Sequence, residues 1–167
     1  AGVTPLAARL AEDTRVAMLV NNAGFGTKGR LVTRPETEQR AMLELHVMAP
    51  MRLARAVLPG MVARKRGMII NVASVLAHVP TPFCATYGAT KAFLLNWSVA
   101  LAEELRGTGV RVLTLSPGTT RTDFFTGSGA ATPYVIYLTH RLRDKRRVRA
   151  TFSGFAFFDY GFRILAF

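Results

Sequence analysis

The stretch IINVASVLAHVPTPFCATYGATK, residues 69–91, decides the fold. It opens with a short apolar run that suits a strand buried on both faces, and it ends inside a long helical pattern. Ser74 follows the strand, while Tyr87 and Lys91 lie four residues apart and share one face of the helix. A tyrosine titrates near 10, and a neighbouring ammonium favours its phenolate, which makes the phenol a usable acid or base. Such a phenol suits alcohol–carbonyl interconversion, but by spacing alone a Tyr-x-x-x-Lys pair is more often just an exposed helix face.

The same alternation of apolar runs and helical patterns extends on both sides of this stretch. Strand, helix, strand, helix, strand in this order requires right-handed crossovers and a parallel sheet. We therefore predict an α/β fold, a partial Rossmann-like, doubly wound parallel sheet of about three strands with flanking helices. The predicted domain covers residues 1–127, and residues 128–167 form a basic, aromatic-rich tail that the pattern does not place in the sheet. Helices are predicted over 4–12, 36–65 and 87–106, and strands over 16–20, 68–72 and 110–116.

The chain is strongly basic, with a net charge of +12 over 167 residues, and arginines are concentrated near its end. This balance indicates either a solvated basic surface or contact with polyanions. No nucleic-acid-binding motif accompanies the charge, so we expect no nucleic-acid partner. The single cysteine, Cys84, excludes an internal disulfide and favours a cytoplasmic location. We expect no metal site and, because every long uncharged stretch is interrupted by polar residues, proline or glycine, no membrane span.

Four segments together resemble the classical short-chain dehydrogenase/reductase family. They are LVNNAG at 19–24, IINVAS at 69–74, YGATK at 87–91 and SPGTTRT at 116–122, in the family's order and spacing. The resemblance implies an NAD(P)-dependent oxidoreductase that interconverts an alcohol and a carbonyl. It also implies that Tyr87 moves the proton, that Lys91 lowers its pKa and binds the nicotinamide ribose, and that Ser74 positions the substrate oxygen.

The resemblance further implies two groups of cofactor-binding residues besides Tyr87 and Lys91. The adenosine side is assigned to Asn22, Ala23 and Gly24, and the nicotinamide end to Pro117, Gly118, Thr120 and Thr122. By contrast, Asn21 is expected to tie neighbouring strands together rather than to contact a ligand.

One departure from the family is His46, which stands where the family usually has an asparagine. In the family, the main-chain carbonyl of that residue helps to hold a water in a proton relay to the lysine. Pro50 lies four residues later and has no N–H with which to bond this carbonyl, so the carbonyl is expected to stay available for the water. Two other interpretations remain open: the imidazole relays protons itself, or it is merely packed between helix and sheet.

A second departure concerns the glycine-rich turn that holds the cofactor pyrophosphate. A dinucleotide fold places this turn between its first strand and first helix, and the sequence is expected to lack it. Gly24, Gly26 and Gly29 match the fingerprint by letter, but they are not predicted to open a helix. Without the missing units, the outer edge of the strand over 16–20 is expected to be unpaired.

Three functions therefore compete at this stage. The first is an NAD(P)-dependent oxidoreductase acting on a small-molecule alcohol or carbonyl. The second is a catalytically inactive, truncated family member that acts only as an association domain, forming a homo-oligomer through the two long helices. The third is a protein that binds polyanions or membrane surfaces through its basic tail.

Overall fold

In this computed structural model, the structure describes residues 3–118 and, as backbone only, residues 135–138 and 162–165. The α-helices are α1 (Val3–Glu12), α2 (Glu36–Leu43), α3 (Ala49–Ala63) and α4 (Ala85–Glu104). The strands are β1 (Met18–Asn21), β2 (Gly67–Val72), β3 (Val110–Pro117), β4 (Val135–Leu138) and β5 (Phe162–Leu165).

The strands form one sheet in the order β4-β1-β2-β3-β5. The central strands β1, β2 and β3 are mutually parallel, and their flanking helices make this the predicted partial Rossmann-like sheet. The two outer strands, β4 and β5, pair antiparallel. The expectation that the outer edge of β1 is unpaired was therefore wrong, because β4 pairs along it from Met18 to Asn21. An open edge presents free N–H and C=O groups, and a later segment of the same chain satisfies them here.

The main core lies between the parallel strands and the helices. Leu19, Ile69 and Val112, one residue from each central strand, pack in one cluster with residues of three helices. Alternate residues of a strand point to opposite faces, and Met18, Val20 and Ile70 accordingly form a separate cluster. The buried helix residues in the main cluster are Leu10 of α1, Leu53, Ala54, Val57 and Met61 of α3, and Leu101 of α4. Within the part of the chain that the structure describes, no helix is both long and apolar enough to cross a membrane.

A chain of buried amides ties β1, β2 and α4 together. The side-chain amide of Asn21 donates to Asn71 Oδ1 at 2.7 Å, and Asn71 Nδ2 donates to Ser98 Oγ at 2.7 Å. Ser98 Oγ in turn donates to the carbonyl of Leu94, one turn earlier in α4. The prediction that Asn21 joins neighbouring strands is confirmed, and the same bonds fix α4 against the sheet.

The single long helix predicted over 36–65 is divided in two. A π-helical turn, Glu44–Met48, separates α2 from α3. Pro50 lies in the first turn of α3 and lacks the N–H that would bond the carbonyl of His46 in an α-helix. This missing donor accounts for the change from α-helical to π-helical hydrogen bonding at this point. Such π turns occur often at functional sites. His46 lies in the middle of the turn and is buried.

Candidate active site

Ser74 is placed by the turn that follows β2. It caps a short 3₁₀ turn, Val75–Ala77, and its Oγ accepts a hydrogen bond from the backbone N–H of Leu76 at 3.2 Å. This position is just beyond the carboxyl end of a parallel strand, where open α/β sheets bind ligands. The serine hydroxyl is therefore held by its own backbone at the mouth of the sheet.

The phenol of Tyr87, in the first turn of α4, forms a hydrogen bond with the Ser74 side chain. Burial raises the pKa of Tyr87, the bond to Ser74 opposes that rise, and the electrostatic influence of Cys84 adds to it. The balance is a pKa above the usual value of 10.0. Removal of the phenol from water therefore outweighs the bond to Ser74, which favours the charged form. The lowering of this pKa by Lys91, which the resemblance implies, stays a prediction.

Lys91 lies one turn further along α4, and 4% of it is exposed. Its Nζ donates to the backbone carbonyl oxygen of Val72 at 2.8 Å and lies 5.8 Å from the centre of the Tyr87 ring. Burial lowers the pKa of Lys91 from 10.5 to about 8. The structure thus brings Ser74, Tyr87 and Lys91 together, as their spacing predicts.

His46 lies beside this group, with both ring nitrogens engaged by the protein. Its Nε2 is 3.1 Å from the backbone N of Phe25, and its Nδ1 is 2.9 Å from Oγ1 of Thr90. The ring meets Tyr87 edge-on, with 5.7 Å between ring centroids. Burial, reinforced by repulsion from Lys91, lowers the pKa of His46 to about 3. The imidazole is therefore neutral near neutral pH.

The loop after β1 forms another wall of the site. Gly24 lies so close that a Cβ there would be 3.0 Å from His46 Nε2 and 3.5 Å from Lys91 Nζ. Asn22 is exposed, whereas Ala23 and Gly24 are half-buried. The loop thus lies next to Lys91, which the resemblance assigns to cofactor binding. The absence of a side chain at Gly24 permits this close approach.

The other predicted cofactor residues follow β3. Pro117 ends the strand and Gly118 comes directly after it. Thr120, Thr122 and the proposed domain boundary between residues 127 and 128 lie outside the described residues.

Part of a dinucleotide site fits these residues. The close approach at Gly24 places the loop that the resemblance assigns to the adenosine side next to Lys91, the residue that it assigns to the nicotinamide ribose. Over residues 3–118, however, no glycine-rich turn leads directly from a strand into an α-helix. After the glycines at 24, 26 and 29 comes a 3₁₀ turn, Leu31–Thr33, and α2 begins only at Glu36. Gly29 instead donates its N–H to the carbonyl of Phe83 at 2.8 Å.

Two further interactions at the site escaped sequence reasoning. Thr90 bonds His46 and also donates to the carbonyl of Tyr87 at 2.8 Å. His78 Nε2 lies 3.1 Å from Oγ of Ser116, which links the turn after Ser74 to the end of β3. For Thr90, the available signal was its position three residues after Tyr87, on the same helix face as the reacting groups. Nothing in the local sequence of His78 indicated its partner.

Comparison with known proteins places these features in a family. Residues 3–132 match the model of the short chain dehydrogenase family. A very-long-chain 3-oxoacyl-CoA reductase of Coprinopsis cinerea is 44% identical over 99 residues, covering 58% of this chain and 29% of the relative. This chain thus spans less than a third of that relative's length.

Solved structures agree with this match. A short-chain dehydrogenase from Sphingobium yanoikuyae in complex with NADPH superposes with a TM-score of 0.73 at 32% identity, covering 94% of this chain and 60% of that one. A short-chain dehydrogenase from Streptomyces avermitilis gives a TM-score of 0.66 at 40% identity, covering 74% and 46% of the two chains. The chain belongs to the short-chain dehydrogenase family, whose members are NAD(P)-dependent oxidoreductases.

Proposed function

We propose that Ser74, Tyr87 and Lys91 form the reaction centre of an NAD(P)-dependent oxidoreductase that interconverts an alcohol and a carbonyl. The observation that carries this proposal is that the three side chains converge in a site shielded from water. Lys91 Nζ lies 5.8 Å from the centre of the Tyr87 ring, all three residues are buried, and Ser74 influences the pKa of the Tyr87 phenol. An acid–base group must lie within hydrogen-bond reach of the reacting oxygen, and the Ser74 and Tyr87 hydroxyls bracket one position for it.

In the reductive direction, a bound nicotinamide would supply the hydride that the carbonyl carbon accepts. Tyr87 donates its proton to the carbonyl oxygen, and its raised pKa keeps the phenol protonated near neutral pH, as a donor must be. Ser74 donates a hydrogen bond to the same oxygen as negative charge develops there. Lys91, charged below its pKa of about 8, stabilises the phenolate that remains.

We assign the cofactor contacts to two sides of this centre. The loop of Asn22, Ala23 and Gly24 holds the adenosine side, and Lys91 holds the nicotinamide ribose; the close approach of Gly24 to Lys91 supports this assignment. The last residue of β3 and residues after it hold the nicotinamide end: Pro117, Gly118, Thr120 and Thr122.

For the substrate, we propose a carbonyl compound with a long apolar chain, such as a 3-oxoacyl thioester. The names of the fungal relatives, very-long-chain 3-oxoacyl-CoA reductases, support this class. So does the segment between Ser74 and Tyr87, in which Val75, Val79 and Phe83 remain 37%, 61% and 51% exposed. Exposed apolar side chains beside a reaction centre suit an apolar ligand.

The test is titration of the purified chain with NADPH and NADH, followed by nicotinamide fluorescence and then by turnover of a 3-oxoacyl thioester. Tyr87→Phe should bind NADPH as the wild type does but should not reduce the substrate. Cofactor binding without turnover by the wild type would refute the catalytic proposal, and absence of binding would refute the cofactor assignment.

A second candidate, an inactive association domain, is favoured by the outer side of α4. Phe93 and Trp97 stack with ring centroids 6.4 Å apart and are half-buried, and Trp97 also packs against the main core. An apolar groove of about 450 Å³ lies beside them, between α4 and the π turn, lined by Leu43, Val47, Ala85, Thr86, Ala89, Thr90 and Phe93. A second copy of the chain seated on this surface would make a homo-oligomer. Sedimentation of the wild type and of Phe93→Glu tests this: a dimer that the variant abolishes supports it, and a monomeric wild type refutes it.

A further inference from the structure

We propose that His46 is a positioning residue, a neutral imidazole with its proton on Nδ1, which fastens the loop after β1 to the helix that carries Tyr87 and Lys91. This role differs from a proton relay. It rests on the proposed function only because that function makes Tyr87 and Lys91 the groups that are positioned. The hydrogen bonds themselves belong to the protein without ligand.

The direction of each hydrogen bond fixes the tautomer. The hydroxyl of Thr90 has one proton, which it donates to the carbonyl of Tyr87 at 2.8 Å. Thr90 Oγ1 must then accept from His46, so Nδ1 carries the proton. The backbone N–H of Phe25 can only donate, so Nε2 must be the unprotonated nitrogen. The result is one continuous path from Phe25 through His46 and Thr90 to Tyr87.

The surroundings of the ring oppose a second proton. A Cβ at Gly24 would lie 3.0 Å from His46 Nε2 and 3.5 Å from Lys91 Nζ, so Lys91 lies on the Nε2 side of the imidazole. The Tyr87 ring closes another side. These are the titratable groups facing the imidazole among the described residues. An added proton on Nε2 would break the bond from Phe25 and place two positive charges together. With both nitrogens engaged, the imidazole positions its neighbours and does not pass protons between them.

These hydrogen bonds determine how far the loop after β1 lies from the Tyr87 and Lys91 side of the site. The loop at Gly24 lies against both Nε2 of His46 and Nζ of Lys91, and the bond to Phe25 holds the next residue of that loop. Without His46 the loop loses its bond to the π turn and, through Thr90, to α4. The ring thus sets how closely the loop approaches Lys91.

Amide substitutions at His46 can test its hydrogen bonds to Phe25 and to Thr90 one at a time. An amide has a donor and an acceptor on one rigid plane, as the neutral imidazole does. His46→Asn has the length to retain the hydrogen bond to Thr90, and His46→Gln has the length to retain the hydrogen bond from Phe25. His46→Leu loses both. Thr90→Val removes the acceptor for Nδ1, whereas Thr90→Ser keeps it.

The first measurement is ¹H–¹⁵N NMR of the histidine ring in the free protein. We expect a proton on Nδ1 and none on Nε2 of His46 across neutral pH, in the wild type and in Thr90→Ser. A proton on Nε2, or a charged imidazole at neutral pH, would overturn the proposal.

The second measurement is hydrogen exchange at the Phe25 amide. We expect about tenfold faster exchange in His46→Leu and His46→Asn, the factor that a typical buried hydrogen bond supports, and retained protection in His46→Gln. Ser98→Ala, which loses a buried hydrogen bond elsewhere on α4, is the matched control and should leave exchange at Phe25 unchanged. Equal exchange in all His46 variants would refute the role.

The third measurement is NADPH binding. It tests whether the position of the loop set by His46 affects the cofactor site, and its failure can be told apart from a failure of the proposed function. We expect His46→Leu to weaken binding about tenfold, with binding in His46→Gln close to that of the wild type. If the wild type binds no NADPH, the proposed function fails, and the NMR and exchange results still decide the role of His46. If NADPH binds equally to the wild type and to His46→Leu, the claim that the ring sets the wall of the site is refuted.

Discussion

Removing the buried charge of Lys91 should abolish a specific pH dependence of stability. Its pKa is lowered from 10.5 to about 8 by burial, so between these values the unfolded chain holds a proton that the folded chain has lost. Stability rises with pH wherever the unfolded state binds more protons. Below pH 8 the lysine is charged in both states, and the full cost of burying its ammonium opposes folding.

The magnitude follows from the two pKa values. Between about pH 7 and pH 9.5, titration of Lys91 should stabilise the fold by about 2 kcal/mol, at 1.36 kcal/mol per pKa unit. Methionine is similar in length and carries no proton. Lys91→Met should therefore lose this rise, whatever constant change it causes by removing the bond to Val72.

The assay is urea unfolding at a series of pH values, stopping short of pH 10, where the raised pKa of Tyr87 begins to act in the opposite direction. Lys28→Met, at an exposed loop position, is the matched control and should keep the rise of the wild type. A wild-type stability that is flat from pH 7 to 9.5, or an equal rise in Lys91→Met, would refute the reasoning.

The remaining predictions concern single contacts. Ser74→Ala should raise the pKa of Tyr87 further, because the lost bond favours the phenolate; phenolate absorbance in an alkaline titration measures this, and a lower pKa would contradict it. Gly107→Ala should cost about 1 kcal/mol, because φ is +80° but nothing crowds the new Cβ. Gly109→Ala should cost roughly 2 kcal/mol more, because its Cβ would lie 2.0 Å from a carbonyl oxygen, and equal urea midpoints for the two variants would refute this. Asn71→Leu should cost about 2–3 kcal/mol in the same assay, because two buried partners lose their hydrogen bonds, and a neutral effect would argue against that chain of bonds.

The central sheet could be predicted from the sequence because its strands are buried and short. The run predicted over 16–20 became Met18–Asn21, and the one over 110–116 became Val110–Pro117. A parallel strand covered on both faces is a continuous apolar run, and turn residues bound it. The helix predicted over 87–106 is Ala85–Glu104, so Tyr87 and Lys91 share a helix face as their spacing required.

Pairings between distant segments could not be predicted in this way. Strands β4 and β5 cover the two edges of the parallel sheet, and nothing in their local sequence specified those partners. The bonds of His46 to Phe25 and Thr90 are of the same kind, since they join residues 21 and 44 positions apart. Pro50 indicated that a carbonyl would be freed, but its position alone did not predict that a π turn would divide the helix.

The protonation of the site also depends on burial, which the spacing of Tyr87 and Lys91 does not reveal. In water, a lysine beside a tyrosine would simply favour the phenolate. Removal from water opposes charge on both groups, so it raises the pKa of Tyr87 and lowers that of Lys91 to about 8. As pH rises from neutrality, the ammonium loses its proton before the phenol does. A protonated phenol beside a charged lysine is the state that the proposed carbonyl reduction requires. In that proposal, the burial that costs stability at neutral pH also keeps Tyr87 protonated as a proton donor.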